Sequence, residues 1–200
     1  MLKIVLATGN KSKIKEFKNM MQNDDVVAYS DIIDEVDIVE DGDTFASNAL
    51  IKAQAISKKL KLIINEPYVV ISDDSGITVP ALNNQPGIKS ARYAGAKATD
   101  KQNLDKLIDN LKNKNIIRTP AYYTASIAII YNDNEYTVHG WMYGDVIDSK
   151  KGIGGFGYDP IFIPKNYNKT LGELNKEIKK NISHRSKALT LAKKIISVII

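Results

Sequence analysis

The sequence predicts an α/β fold on a mixed sheet, and three observations carry that prediction. Short β-forming apolar runs alternate with amphipathic helical patterns from the N-terminus to Leu111. A β-rich pair follows, joined by the turn-forming residues Asn132-Asp133-Asn134, and two helical segments end the sequence. Strands separated by helices pair in parallel, whereas a short-linked pair must be antiparallel, so the presence of both implies a mixed sheet with flanking helices.

Each element has its own signal. Leu2 to Ala7 is an apolar strand-forming run that Thr8-Gly9-Asn10 breaks. Lys11 to Met21 places Ile14, Phe17, Met20 and Met21 on one helical face, and Val26 to Tyr29 reads as a second strand. Asp43-Thr44 can cap a helix to about Leu60, with Phe45, Ala49, Ala53 and Ile56 at helical spacing. Tyr68 to Ser72 reads as a buried strand ending in Asp73-Asp74-Ser75-Gly76, whose Asp, Ser and Gly are turn-favouring residues. Thr99-Asp100 begins a helix through Leu111. Ala121 to Tyr131 and Glu135 to Ile147 form a hairpin. Lys151 to Tyr158 is a glycine-rich loop, and Ile161-Phe162-Ile163 a short strand closed by Pro164. Leu171 to Lys179 and Ser183 to about Ile200 are the last two helices. No repeat or linker interrupts the pattern, so residues 1–200 read as a single domain.

Composition narrows the function classes. Hydrophobic residues make up 44% of the 200 and charged residues 26%, ordinary globular usage. No stretch approaches the roughly 18 apolar residues of a membrane helix, and the N-terminal apolar run is shorter than a signal-peptide core. With no cysteine, disulfides and thiolate metal sites are excluded, leaving carboxylates, hydroxyls and two histidines as ligands. A cytoplasmic location is the default expectation. The net charge of +5 suits an anionic partner, but the lysines are scattered and many stand beside Glu or Asp at helical spacing. A nucleic-acid binder should instead show a clustered basic stripe with interleaved aromatics, so free nucleotide is favoured over DNA or RNA.

Four clusters carry chemistry. Thr8-Gly9-Asn10-Lys11-Ser12-Lys13 lies between a strand and a helix, where outward N–H groups favour an anion; the alternative is a capped helix after a tight turn. It lacks the glycine spacing of a Walker-type loop. Glu40 with Asp73-Asp74-Ser75-Gly76 offers hard oxygen ligands, and magnesium commonly takes one or two carboxylates plus water and phosphate oxygens. Strand alternation sends the two aspartates to opposite faces, so one can ligate metal or activate water while the other supports the loop. Gly152 to Pro160 holds four glycines with Phe156, Tyr158 and Asp159, a ring for stacking on a nucleobase and polar groups for its edge. Ser183-His184-Arg185, preceded by Lys179, combines an N-cap with two donors at a helix start. His139, mid-strand in the hairpin, reads as structural.

Together these stretches resemble the inosine triphosphate pyrophosphatase family nearly end to end. The matching residues are Ala7-Thr8-Gly9-Asn10 with Lys13 and Glu16, and Glu40 with Gly42, Thr44-Phe45, Asn48-Ala49 and Lys52-Ala53. They continue through Asp73-Asp74-Ser75-Gly76, Pro86-Gly87-Ile88 and Ser90 to Gly95, and end in Gly154 to Pro160 and Ser183-His184-Arg185. The resemblance implies an elongated mixed sheet with two lobes around a central cleft, usually in a homodimer. It implies Mg²⁺-dependent hydrolysis of deaminated purine nucleoside triphosphates, inosine and xanthosine triphosphates and their deoxy forms, to monophosphate and pyrophosphate. By position, Asp74 matches the general base and also a metal position, and Glu40 the metal-binding carboxylate. Thr8 to Lys13 match the phosphate loop and Lys52 a lysine near the triphosphate. Phe156, Gly157, Tyr158, Asp159, Lys179, His184 and Arg185 match base recognition, and Ser75 is a further substrate-binding candidate. Two positions depart from the pattern: Ser47 stands where Glu is frequent, removing a carboxylate near the expected metal, and Asn84 stands where Gly is usual.

In the mechanism this implies, Lys13, Lys52 and magnesium offset phosphate charge and Asp74 orients or deprotonates the attacking water. His184 and Arg185 donate to a 6-oxo group that adenine lacks. The rivals are a triphosphate sensor without turnover, a nucleic-acid-binding protein, and a pyrophosphatase of modified pyrimidine nucleotides. The apolar ending Ile195 to Ile200 is expected to be covered by the core or by a second chain.

Overall fold

The computed structural model describes residues 3–21 and 25–200, with the side chain of Ser12 excepted. The elements are β1 (Lys3–Leu6), α1 (Lys11–Met20), β2 (Asp25–Ala28), α2 (Phe45–Leu60), β3 (Tyr68–Val79), β4 (Gln85–Pro86), α3 (Asp100–Asn113), β5 (Arg118–Tyr131), β6 (Asn134–Ile147), β7 (Phe162–Pro164), α4 (Lys176–Ile182) and α5 (His184–Ile199). The sheet runs β2-β1-β3-β5-β6-β7, with β4 paired to β3. β1 is parallel to both β2 and β3, placing Val5 opposite Val27 and Val70, whereas β7 is antiparallel to β6. The sheet is therefore mixed, as the sequence predicts.

The chain divides into two compact units: Met1–Asp74, Ser126–His139 and Ala188–Ile200 in the first, Ser75–Ala125 and Gly140–Lys187 in the second. Each has its own apolar core. In the first, Val5, Ala7, Val70, Ala128 and Ile130 pack with Ala49, Ala53, Ile56 and Leu60 of α2. Full burial of side chains such as Ile56 and Leu60 stabilises by about 1.5–3 kcal/mol each. In the second, Leu104, Leu107, Ile108 and Leu111 of α3 pack with Ile77, Val79, Tyr123, Val146 and Phe162.

Local chemistry sets the element ends. Thr44 and Ser47 cap α2 reciprocally: Thr44 Oγ1 accepts from Ser47 N at 3.0 Å, and Ser47 Oγ accepts from Thr44 N at 3.0 Å. The same arrangement at Thr99 and Gln102 starts α3. The hairpin turn is two residues, Asn132 and Asp133, both at positive φ, which matches the twist of the flanking strands. Asn84 has φ 62°, so the departure from glycine falls where asparagine tolerates the left-handed backbone.

Three expectations need correction. β3 does not end at Ser72 but continues to Val79, so Asp73-Asp74-Ser75-Gly76 lies inside a strand and is not a turn. Its ladder continues because β4 pairs with its far end, Thr78 opposite Pro86. The helix expected from Leu171 begins only at Lys176, because Asn175 accepts from Ile178 N at 2.9 Å and caps it there. β2 stops at Ala28, where Tyr29–Asp31 turn into a 3₁₀ segment. The apolar ending is covered in part: Ile196 is buried, whereas Val198 and Ile200 are exposed. The expected start of the first strand at Leu2 falls outside the described residues. Among the described residues, no helix is long and apolar enough to cross a membrane.

Candidate active site

The first unit gathers the acidic and basic residues singled out above. β1 ends in Thr8-Gly9-Asn10, and α1 begins at Lys11. Asn10 N donates to Thr8 Oγ1 at 3.2 Å, and Asn10 Oδ1 accepts from Lys13 N at 3.2 Å, so the loop is folded against its helix by its own side chains. A Cβ at Gly9 would meet nothing nearer than Tyr29 Oη at 3.9 Å, so packing does not explain that glycine. The side chain of Ser12 lies outside the described residues. One turn into α1, Lys13 Nζ sits 3.2 Å from Asp73 Oδ2 and 3.5 Å from the Asp73 carbonyl.

Alternation along β3 then separates the adjacent aspartates. Asp73 pairs with Lys13, and Asp74 with α2, whose Asn48 and Lys52 lie one turn apart on the same face. Lys52 Nζ stands 2.6 Å from Glu40 Oε2 and 3.5 Å from Asp74 Oδ1. Asn48, fully buried, donates to Asp74 Oδ2 at 3.3 Å and accepts from Gly42 N at 2.9 Å. The stretch carrying Glu40 is thereby tied to the strand carrying Asp74. A Cβ at Gly42 would collide with the Ser47 hydroxyl and lie 2.8 Å from Asn48 Oδ1, so only glycine fits there. Burial pushes the Asp74 carboxyl above its ordinary value, and Lys52 and Lys13 pull it back down.

This donor set fits magnesium. Two carboxylates converge on one point, marked by the Lys52 ammonium, and a further cation stands at Lys13. Among the described residues no group of three or more His, Asp or Glu could hold a metal. Magnesium commonly takes one or two carboxylates and completes its shell with water and substrate oxygens. Ser47 is a cap residue hydrogen-bonded to Thr44, and the structure gives it no contact with Glu40 or Asp74.

The second unit holds the residues matched to base recognition. Asp159, at the end of the glycine loop, accepts from Lys179 Nζ at 3.0 Å and from Phe156 N at 3.3 Å, and Lys179 also donates to the Leu171 carbonyl. Asp159 and Lys179 thus hold the loop's backbone. Burial raises the Asp159 carboxyl, with Lys179 acting against the rise. Gly155, at φ 89°, leaves no space for a Cβ beside that carboxylate. Tyr158 Oη donates to the Ser90 carbonyl at 2.7 Å, and desolvation raises its phenol well above the usual value. Phe156 is 58% exposed, a free ring face beside Gly157 at φ 58°. Ser183 Oγ accepts from Ser186 N at 3.0 Å and caps α5, as the sequence predicts. Arg185 is buried and donates from Nη2 to Ser75 Oγ at 2.9 Å, while the half-buried His184 ring stacks on Tyr123. His139 faces Ser126 Oγ at 3.4 Å within the hairpin.

Sequence reasoning left three of these residues without a role: Asn48, Asp73 as the partner of Lys13, and Tyr123. The four-residue spacing of Asn48 and Lys52 was a usable signal. Nothing local to Tyr123 marks it out.

The Ham1 family model matches residues 4–195. A curated dITP/XTP pyrophosphatase of Sulfurovum sp. (strain NBC37-1) is 61% identical over 199 residues, covering 99% of this chain and 95% of that protein. The dITP/XTP pyrophosphatase of Aliarcobacter butzleri (strain RM4018) is 56% identical over the full length of both. Among solved structures, the Staphylococcus aureus Ham1 protein superposes with a TM-score of 0.86 at 39% identity, covering 99% of this chain and all of that one. The HAM1 protein from Coxiella burnetii gives 0.87 at 34% identity, covering 98% and 99%. With the family match spanning nearly every residue and a relative 61% identical over 99% of its length, this chain belongs to the Ham1 family.

Proposed function

We propose that this chain hydrolyses deaminated purine nucleoside triphosphates, the inosine and xanthosine forms and their deoxy counterparts, to monophosphate and pyrophosphate. The observation that carries the reading is the convergence of Glu40 and Asp74 on Lys52, in a protein more than half identical to named dITP/XTP pyrophosphatases.

Lys13 and Lys52 bind the anionic phosphates, assisted by the backbone N–H groups at the start of α1. Glu40 and Asp74 would hold Mg²⁺, which supplies charge neutralisation at the phosphate oxygens. Asp74 orients a water for in-line attack and takes its proton. Burial raises its pKa and makes it a stronger base than an exposed aspartate, while Lys52 and Lys13 oppose that rise. Phe156 offers a stacking face, and His184 and Arg185 donate to the 6-oxo group of the base. Adenine presents an amino donor at that position, leaving buried donors unpaired, which is the arrangement that discriminates strongly. A homodimer and a cytoplasmic location complete the proposal; the exposed Val198 and Ile200 are consistent with a further covering surface.

The test is pyrophosphate release from inosine, xanthosine, guanosine, adenosine and pyrimidine triphosphates, with and without magnesium. Release confined to the inosine and xanthosine substrates and dependent on the metal is expected. Binding of these nucleotides without release would establish a sensor instead. Sedimentation of the purified chain tests the dimer.

A further inference from the structure

We propose that Tyr123 is a specificity-determining residue, which positions the His184 imidazole so that its donor meets the 6-oxo group of the bound purine. The inference rests on the reading of His184 as a base-recognition residue and goes beyond it, because Tyr123 itself lies outside every stretch that carries the family resemblance.

The geometry is specific. Tyr123 sits in β5, buried, with its ring centroid 4.8 Å from that of His184 and the two planes 12° apart. Phe162 of β7 meets the same ring edge-on, at 4.8 Å and 66°. The tyrosine ring is therefore packed against a core aromatic and presents a face to the histidine. His184 is the first residue of α5, its backbone fixed by the Ser183 cap, which leaves the imidazole two side-chain torsions. Parallel stacking removes freedom in the second of these, since rotating the ring would tilt it into the Tyr123 face. The direction of the histidine N–H is then set by a neighbour that touches no substrate.

A donor fixed in direction discriminates between a carbonyl and an amino group, whereas a ring free to swing can turn away from the amino group at little cost. Loosening His184 should therefore cost selectivity more than binding.

The experiment uses purified full-length wild type, Tyr123→Met, Tyr123→Phe, Phe162→Leu and His184→Ala. Each is assayed for kcat/KM on inosine triphosphate and on adenosine triphosphate at one magnesium concentration. Both substrates are read on the same preparation, so their ratio is independent of how much of a variant is folded. Tyr123→Met is expected to lower the inosine-to-adenosine ratio by at least about tenfold, chiefly by gaining activity on adenosine triphosphate. Tyr123→Phe, which keeps the stacked face, should stay within about threefold of wild type, whereas Phe162→Leu, which removes the ring packed against Tyr123, should shift the ratio in the same direction as Tyr123→Met and by less. Adding Tyr123→Met to His184→Ala should lower the ratio no further, since a positioning residue has nothing left to position. A wild-type ratio in Tyr123→Met beside a collapsed ratio in His184→Ala overturns the inference and leaves the proposed base contact standing. An unchanged ratio in His184→Ala overturns both.

Discussion

Replacing Lys52 by methionine keeps the stem and removes only the ammonium. In the folded protein that ammonium lies 2.6 Å from Glu40 and 3.5 Å from Asp74, and the lysine side chain is 11% exposed. Deleting one partner of a buried ion pair costs about 3–5 kcal/mol. The Glu40 side chain is 32% exposed and can be rehydrated, which reduces the expected loss to about 2 kcal/mol. At roughly 2–4 °C per kcal/mol for a domain of this size, Tm should fall by about 4–8 °C. The deficit should also depend on pH. Burial already holds the Asp74 carboxyl high, and Lys52 is the largest of the influences lowering it, so the variant's carboxyl rises further. A carboxyl with a folded pKa above its unfolded one stabilises the fold while protonated, and that contribution disappears as pH rises through the folded value. The variant should therefore lie closest to wild type at acid pH, where the carboxyl is protonated in both, and fall progressively behind as pH rises through the raised wild-type value. Thermal unfolding at three pH values, without nucleotide or metal, measures this. An equal deficit at every pH, or none near neutrality, would show that the two carboxylates do not depend on this lysine.

Three further outcomes follow from the same contacts. Asp74→Asn should leave Tm unchanged or higher, because the amide carries no buried charge, while turnover on inosine triphosphate falls at least about a hundredfold; normal turnover removes Asp74 from the chemistry. Gly155→Ala strains a positive φ and drives a methyl against the Asp159 carboxylate, so kcat/KM should drop about tenfold with a loss of about 1–3 kcal/mol in stability; a fully active variant would mean that the loop is freer than its packing shows. Thr44→Ala removes half of the α2 cap and should cost about 1 kcal/mol in unfolding measurements, with turnover unchanged.

Much of this molecule was legible in the sequence, and the exceptions have physical causes. The helices with strong caps were placed to within a residue or two, since Thr44 and Thr99 each have a partner three positions on. The hairpin was equally plain, because asparagine and aspartate at positive φ serve few other purposes. β3 was cut short because Asp, Ser and Gly have turn propensity; pairing with β4 and the lysines facing each aspartate outweighed it. The late start of α4 has a similar cause, with Asn175 competing successfully as the cap. At the site, the convergence of Glu40, Lys52 and Asp74 follows from the resemblance and is assembled by tertiary contacts alone. Ser47 has a structural role that its position in the family pattern did not suggest, as one half of the α2 cap. The stacking of Tyr123 on His184 joins residues 61 positions apart, and no spacing rule reaches that far.

Because the two aspartates sit mid-strand rather than in a turn, their assignments obey a parity. Every second residue of the stretch from Tyr68 to Val79 shares a side, so adding or deleting one residue between Tyr68 and Asp73 would exchange the carboxylate that answers Lys13 with the one that answers Lys52. A loop can absorb such a slip by bulging outward, but this segment has a hydrogen-bonded neighbour holding it in step. Length variation among related enzymes should therefore collect before Tyr68 and after Val79, leaving the dozen residues between them an indivisible block.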